Sequence, residues 1–306
     1  MGTDSLKSAK KRIRIAFSGG LTSAYKTKHL LDNYSNEYEF LVTFANTSQE
    51  NEKTLEFVHN CDKHFGFKTV WLEAVVNPIH GKGTTHKVVT FETANRDGAV
   101  FESYIAKDGV PNITFPHCTR ELKQRPMDSY TRSLGWKKGT YEVAIGIRTD
   151  ETRRVSRNAT KEHIIYPLVD MFPADKQDVR EWWEEQDFNL GLLEHQGNCT
   201  WCWKKSLKKH ALIWQESPEV FDFPNRMEET YGHVKGVTTV ADGGPRVWAE
   251  PLKSTTHRVF FRGYRSTKEI ISIARDSSPA DFRQPRMDEN SGCSESCEVY
   301  AMEETT

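Results

Sequence analysis

Ser18-Gly19-Gly20-Leu21-Thr22-Ser23 sets two adjacent glycines and three hydroxyls between an apolar run, Ile13 to Phe17, and a helical pattern reaching Leu30 and Leu31. A strand, a glycine turn and a helix start make an anion site. Glycine lets the backbone approach an oxyanion, Ser18, Thr22 and Ser23 add hydroxyl donors, and the helix dipole favours negative charge. The loop lacks the Gly-Lys-Ser/Thr ending of a Walker A loop, so ordinary kinase or ATPase chemistry is not indicated. Asn46 and Thr47 end a second apolar run, Phe40 to Phe44, and Gly146-Ile147-Arg148-Thr149-Asp150-Glu151-Thr152-Arg153-Arg154 follows a third. The forks of Arg148, Arg153 and Arg154 suit phosphate or sulfate, while Asp150 and Glu151 suit magnesium or the orientation of an arginine. Lys123 is a further phosphate candidate. The bland alternatives are a solvated charged loop and a solvent-facing lysine.

The cysteines suggest a second chemistry. Cys199 and Cys202 form a Cys-x-x-Cys pair, and Cys118 stands in Pro116-His117-Cys118-Thr119-Arg120-Glu121-Leu122-Lys123. Two thiolates three positions apart can reach one metal, with Cys118 as the third ligand from elsewhere in the fold. The expectation is a three-cysteine iron–sulfur site, of the 4Fe-4S kind, with an open iron for sulfide or substrate. A structural zinc completed by His117 or His195, or unligated buried thiols, are the alternatives. Cys293 or Cys297 could add a fourth ligand, form a redox pair, or be exposed thiols. Cys61 falls on the apolar face of a helical pattern and reads as core.

The elements that position these residues alternate. Strand-like runs at Ile13 to Phe17, Phe40 to Phe44, Thr69 to Leu72 and Tyr141 to Ile147 interleave with helical patterns at Thr22 to Asp32, Thr54 to Phe65 and Glu121 to Leu134. That order predicts a doubly wound, mostly parallel α/β sheet covered on both faces, with ligands at the carboxyl ends of its strands. The glycine loop, Asn46-Thr47 and Gly146-Ile147-Arg148 all follow strands, so they converge at one edge. The predicted division is a basic tail over 1–11, a nucleotide-binding domain over 12–190, a smaller cysteine-bearing helical appendage over 191–276 and a polar, mobile tail over 277–306. Helices are expected over Asp175 to Gln186, just before the appendage, and from Lys204 to Gln215 within it. Gly243-Gly244-Pro245 marks a turn, and Phe260-Phe261 with Ile270-Ile271 a last packed element.

In this order the four motif segments resemble the phosphoadenosine phosphosulfate (PAPS) reductase-like family of the PP-loop superfamily, over roughly residues 12 to 205. The resemblance implies a PP-loop/HUP-like fold and phosphate contacts from Ser18, Gly19, Gly20, Thr22, Ser23, Asn46, Thr47, Lys123, Gly146, Arg148, Asp150, Glu151 and Arg154. It implies an ATP- or PAPS-like adenine nucleotide, Mg²⁺, and catalytic roles for Cys118 and Arg148. The reaction implied first is ATP-dependent sulfur transfer: adenylation of an acceptor oxygen, then displacement of AMP by sulfur from a donor. Relatives of that kind act on tRNA or DNA. Many adenylating members carry Asp where this chain has Thr22, which removes a possible metal contact. Sulfonucleotide reduction is the alternative, although its Glu-Cys-Gly-(Ile/Leu)-His segment is missing and Cys293 and Cys297 lie among serine and glutamate. A non-catalytic nucleotide-binding module is a further reading. Lys204, Lys205, Lys208 and Lys209 beside Trp201 and Trp203 would then meet RNA or DNA, unless those tryptophans are core.

Bulk properties set the frame. Lys plus Arg total 42 against 43 Asp plus Glu in 306 residues, so no global charge demands nucleic acid or a membrane. Met1 to Arg12 is polar and basic without an apolar core, and no membrane-length apolar stretch occurs. Six cysteines are too few for a disulfide scaffold of this length, so a reducing cytoplasmic compartment is expected. Self-association is expected from the family.

Overall fold

Along the first strand and the residue after it, Ile13, Ile15 and Phe17 alternate with Arg14 and Ala16, and all five are buried, so both faces of that strand must be covered. The computed structural model describes residues 10–79, 81–235, 252–253 and 257–277. Within them the chain runs β1 (Lys11–Ala16), α1 (Leu21–Tyr34), β2 (Tyr38–Asn46), α2 (Glu52–Phe65), β3 (Val70–Val75), β4 (Thr85–Val89) and α3 (Ala99–Asp108). A π-helical turn, Arg120–Gln124, leads into α4 (Arg125–Ser133), followed by β5 (Glu142–Ala144), α5 (Ala159–Glu162), β6 (Ile164–Ile165), α6 (Pro167–Asp170) and α7 (Lys176–Glu184). The remainder holds α8 (Leu207–Glu216), α9 (Asp222–Tyr231), the paired β7 (Val234–Lys235) and β8 (Leu252–Lys253), and α10 (Thr267–Asp276).

The sheet has the order β4-β3-β2-β1-β5-β6, parallel throughout except for β4 at its edge. One face packs Ile13, Ile15 and Phe17 against α1, α2 and α7, through Ala24, Leu55, Val58 and Trp183. The other packs Ala16, Ala45 and Val143 against Met127 of α4. The mixed α/β architecture expected from the alternation is therefore present. After β1 the chain winds outward to β2 and β3, then returns on the other side to β5. The crevice between β1 and β5 is thus the topological switch point, where open α/β sheets bind ligands.

Two departures stand out. β5 is shorter than the apolar run Tyr141 to Ile147, although Ile145 N–H still reaches Ile165 O at 3.0 Å. The helix expected over Glu121 to Leu134 begins with π turns, Arg125 N–H reaching Arg120 O. Pro126 follows at once, and with no N–H it cannot continue an ordinary ladder back to Leu122.

The region after residue 190 shares a core with earlier elements. Trp201, Trp203, Ile213, Phe221, Met227, Phe260 and Ile270 pack with Val100, Phe101, Tyr104, Ile105 and Leu122. Phe260, Phe261 and Ile270 form the packed element expected from their sequence. Gly243-Gly244-Pro245, Cys293, Cys297 and the tail after Ser277 lie outside the described residues.

Candidate nucleotide and thiol site

The turn after β1 is built for close approach. Gly19 has φ +80, and a Cβ on it would stand 2.7 Å from Thr54 Cγ2 and 3.1 Å from Val58 Cγ2 of α2. Gly20 caps α1 in extended conformation without a side-chain hydrogen bond, and the first turn carries no acid. The opening N–H groups of α1 therefore have no side-chain cap, and no acid of the helix's own first turn opposes an anion in front of them. Ser23 is turned inward: its Oγ accepts from Ser18 N–H at 3.1 Å and donates to Ala16 O at 3.4 Å. It holds the loop's shape, leaving Ser18 and Thr22 as the half-buried hydroxyls. Trp183 of α7 anchors the loop from the side, its indole N–H on Leu21 O at 3.0 Å.

Across the switch point, Arg148 reaches Thr22. Its Nη1 donates to Thr22 Oγ1 at 3.1 Å, while Nε and Nη2 meet Asp150 Oδ1 and Oδ2 at 2.9 and 3.0 Å. Glu151 lies 3.5 Å from the same guanidinium and 2.5 Å from Arg154 Nη1. The Arg148 hydrogen bond holds the Asp150 carboxyl below its usual range. Asp150 and Glu151 therefore orient arginines, the second of the two roles their types allowed. Magnesium finds no uncommitted carboxylate in this loop, so no protein ligand is assigned to it.

The loop after β2 is largely self-satisfied. Asn46 is fully buried: its Nδ2 donates to Glu73 Oε1 and Asn95 O, both at 2.8 Å, and its Oδ1 accepts from Ser48 N–H. Thr47 donates its hydroxyl to Glu50 at 2.9 Å, and Lys123 lies 3.7 Å from the same carboxylate. Sequence pattern alone did not reveal Glu50 as the hub of this loop, since an acid after Asn46-Thr47-Ser48-Gln49 carries no periodic signal.

Thr47 also opens onto the thiols. Its Oγ1 is 3.5 Å from Cys199 Sγ, and Glu50 and Cys199 form an antiparallel bridge. Cys118, Cys199 and Cys202 line one cavity together with Thr47, Lys123, Trp203 and Lys204. The Cys-x-x-Cys pair and Cys118 of the Pro116 to Lys123 segment are brought together at that cavity. Cys118 enters from the helical turn just before the π segment, and the Cys-x-x-Cys loop is pinned by buried Lys205, whose Nζ donates to His195 O at 2.7 Å and Thr200 O at 2.8 Å. Trp203 Nε1 is buried without a hydrogen-bond partner. A sulfur-rich group fits these donors: three thiols, lysines beside them to offset thiolate charge, and an indole N–H without an acceptor. As the side chains stand, no group of three or more His, Cys, Asp or Glu among the described residues is set to grip a single metal ion. Neither His117 nor His195 lines the cavity; His195 Nε2 is hydrogen-bonded to Glu216 at 2.8 Å.

Trp201 and Trp203 are buried in the shared core, and Lys204 and Lys205 are buried too, so this segment offers nucleic acid no exposed ring to stack on. Cys61 is core, and burial raises its thiol pKa. No helix among the described residues is long and apolar enough to cross a membrane.

No family model matches the chain. It is similar along nearly its whole length to the uncharacterized nin region protein ORF290 of Escherichia phage lambda, with 28% identity over 297 residues, 94% of each chain.

Proposed function

We propose that this chain is a PP-loop enzyme of the PAPS reductase-like kind, which binds an adenine nucleotide at the β1/β5 switch point and uses it to activate an acceptor for sulfur transfer. One observation carries this reading: the glycine loop follows β1 and Thr47, which lines the three-thiol cavity, follows the neighbouring parallel strand β2, so both stand at the same carboxyl edge of the sheet. The uncapped start of α1 and the Ser18 and Thr22 hydroxyls would hold phosphate oxygens, and Arg148 is oriented by Asp150 toward the same place. In the reaction an acceptor oxygen attacks the α-phosphorus, the bond to the bridging oxygen breaks, and pyrophosphate leaves with the electron pair. A sulfur nucleophile from a donor then attacks the activated acceptor and expels AMP. Arg148 would stabilise charge developing on the phosphates, and the buried loops would exclude water. Cys118, Cys199 and Cys202 would hold an iron–sulfur cluster, which when bound supplies a soft site for sulfide.

Anaerobic purification with iron, sulfide and zinc counts tests the thiol half. About four irons with matching sulfide, lost in Cys199→Ala, are expected. One zinc without iron would remove sulfur chemistry from the reading and leave a nucleotide enzyme with a metal clip.

A further inference from the structure

Trp203 is 4% exposed and lines the cavity of Cys118, Cys199 and Cys202, and its Nε1 has no acceptor among the described residues. Three other indoles show the usual pattern. Trp71 Nε1 donates to Asp62 Oδ2 at 3.3 Å, Trp183 Nε1 to Leu21 O at 3.0 Å, and Trp201 Nε1, two residues before Trp203, to Gln49 Oε1. A buried donor left unpaired is destabilising, and an acceptor bound in the cavity would remove that cost.

The cavity wall narrows what that acceptor can be. Thr47 Oγ1 lies 3.5 Å from Cys199 Sγ, but its proton goes to the Glu50 carboxylate, 2.9 Å from each oxygen. Phe101 and Leu122 add apolar surface, and Lys123 and Lys204 add donors, so the acceptors of this cavity are its sulfurs. Lys204 Nζ stands 5.3 Å from the centre of the Trp203 ring. A cation over the face draws π density toward itself and strengthens the indole N–H as a donor. We propose that Trp203 is a positioning residue that sets the reduction potential of the group held here, its Nε1–H donating to a thiolate or sulfide sulfur. The proposal rests on the iron–sulfur reading above. One-electron reduction adds negative charge to the sulfurs, so a hydrogen bond to them strengthens and favours the reduced state.

The test is a redox titration of the anaerobically purified full-length protein with dithionite as reductant, read by visible absorption beside iron and sulfide counts. It compares the wild type, Trp203→Phe, and protein in which benzothienylalanine replaces Trp203. Benzothienylalanine keeps the bicyclic ring and puts sulfur where the N–H was. Both variants are expected to keep the wild-type iron and sulfide. Their equilibrium constant for one-electron reduction should fall about tenfold, a shift of about 59 mV to more negative potential. Where Trp203→Phe fails to fold, the benzothienylalanine protein decides. An iron-loaded benzothienylalanine protein with the wild-type potential would overturn the role of Trp203, assigning its N–H to a buried water, and leave the cluster reading intact. A wild type without iron would overturn both. Loss of iron or of the fold in both variants would also overturn it, by making the indole a packing wall.

Discussion

Gly19 shows how one residue sets the site. Gly19→Ala forces a side chain into the left-handed region and against Thr54 and Val58 of α2. Strain and overpacking together should cost about 2–4 kcal/mol, read as a lower urea midpoint with an unchanged slope. The need for glycine was legible in the sequence, but the partner it must avoid was not, since that contact joins residues far apart in the chain. His210 was not legible at all. It is buried in α8, and burial first, then the charges of Lys205 and Arg262, lowers its pKa to about 3. Between its ordinary value of 6.5 and about 3 the unfolded chain takes up a proton that the folded chain refuses. Stability contributed by neutral His210 is therefore full above pH 6.5 and declines as pH falls through that window, by up to about 1.4 kcal/mol per pH unit. Denaturation midpoints from pH 4 to 7 should fall less steeply in His210→Leu; equal slopes would contradict this assignment.

At the scale of elements, β1 is bound to α4 by a charge the hydrophobic pattern concealed. Arg14 is fully buried on the α4 face, with Nη1 2.6 Å from Asp128 Oδ1 and 3.3 Å from Thr131 Oγ1. Asp128→Ala leaves that guanidinium without its carboxylate. Because Asp128 is about one-third open to solvent, the loss should lie near the lower end for a broken buried pair, about 3 kcal/mol. Arg14→Met combined with Asp128→Leu should recover most of it, and a double variant no better than Asp128→Ala would argue against the pair. Alternating strands and helices were readable because buried parallel strands and amphipathic helices differ in period. The early end of β5 and the π turn before α4 were not, the latter because it answers to the missing N–H of Pro126.

Over the whole molecule, the convergence of three post-strand loops followed from the parallel order of the sheet, so the edge that carries the site could be foreseen. The joining of Cys118 to Cys199 and Cys202 was only an expectation from its motif segment, because it depends on α8 to α10 packing into one core with α3 and the start of the Cys118 helix. A reading of the C-terminal region as an appendage followed from its change of pattern; shared burial of Trp201 with Phe101 could not be seen in either segment alone. In the proposed function, a nucleotide at this edge would give the thiol cavity a reaction to serve. Calorimetric titration of the anaerobically purified protein with ATP examines that edge directly, comparing the wild type with Arg148→Ala. One ATP site per chain is expected, with affinity reduced about tenfold or more in Arg148→Ala at an unchanged fold, as for loss of a charge-assisted phosphate contact. No binding by the wild type, or equal binding by the variant, would contradict the assignment of the β1/β5 switch point as the nucleotide site.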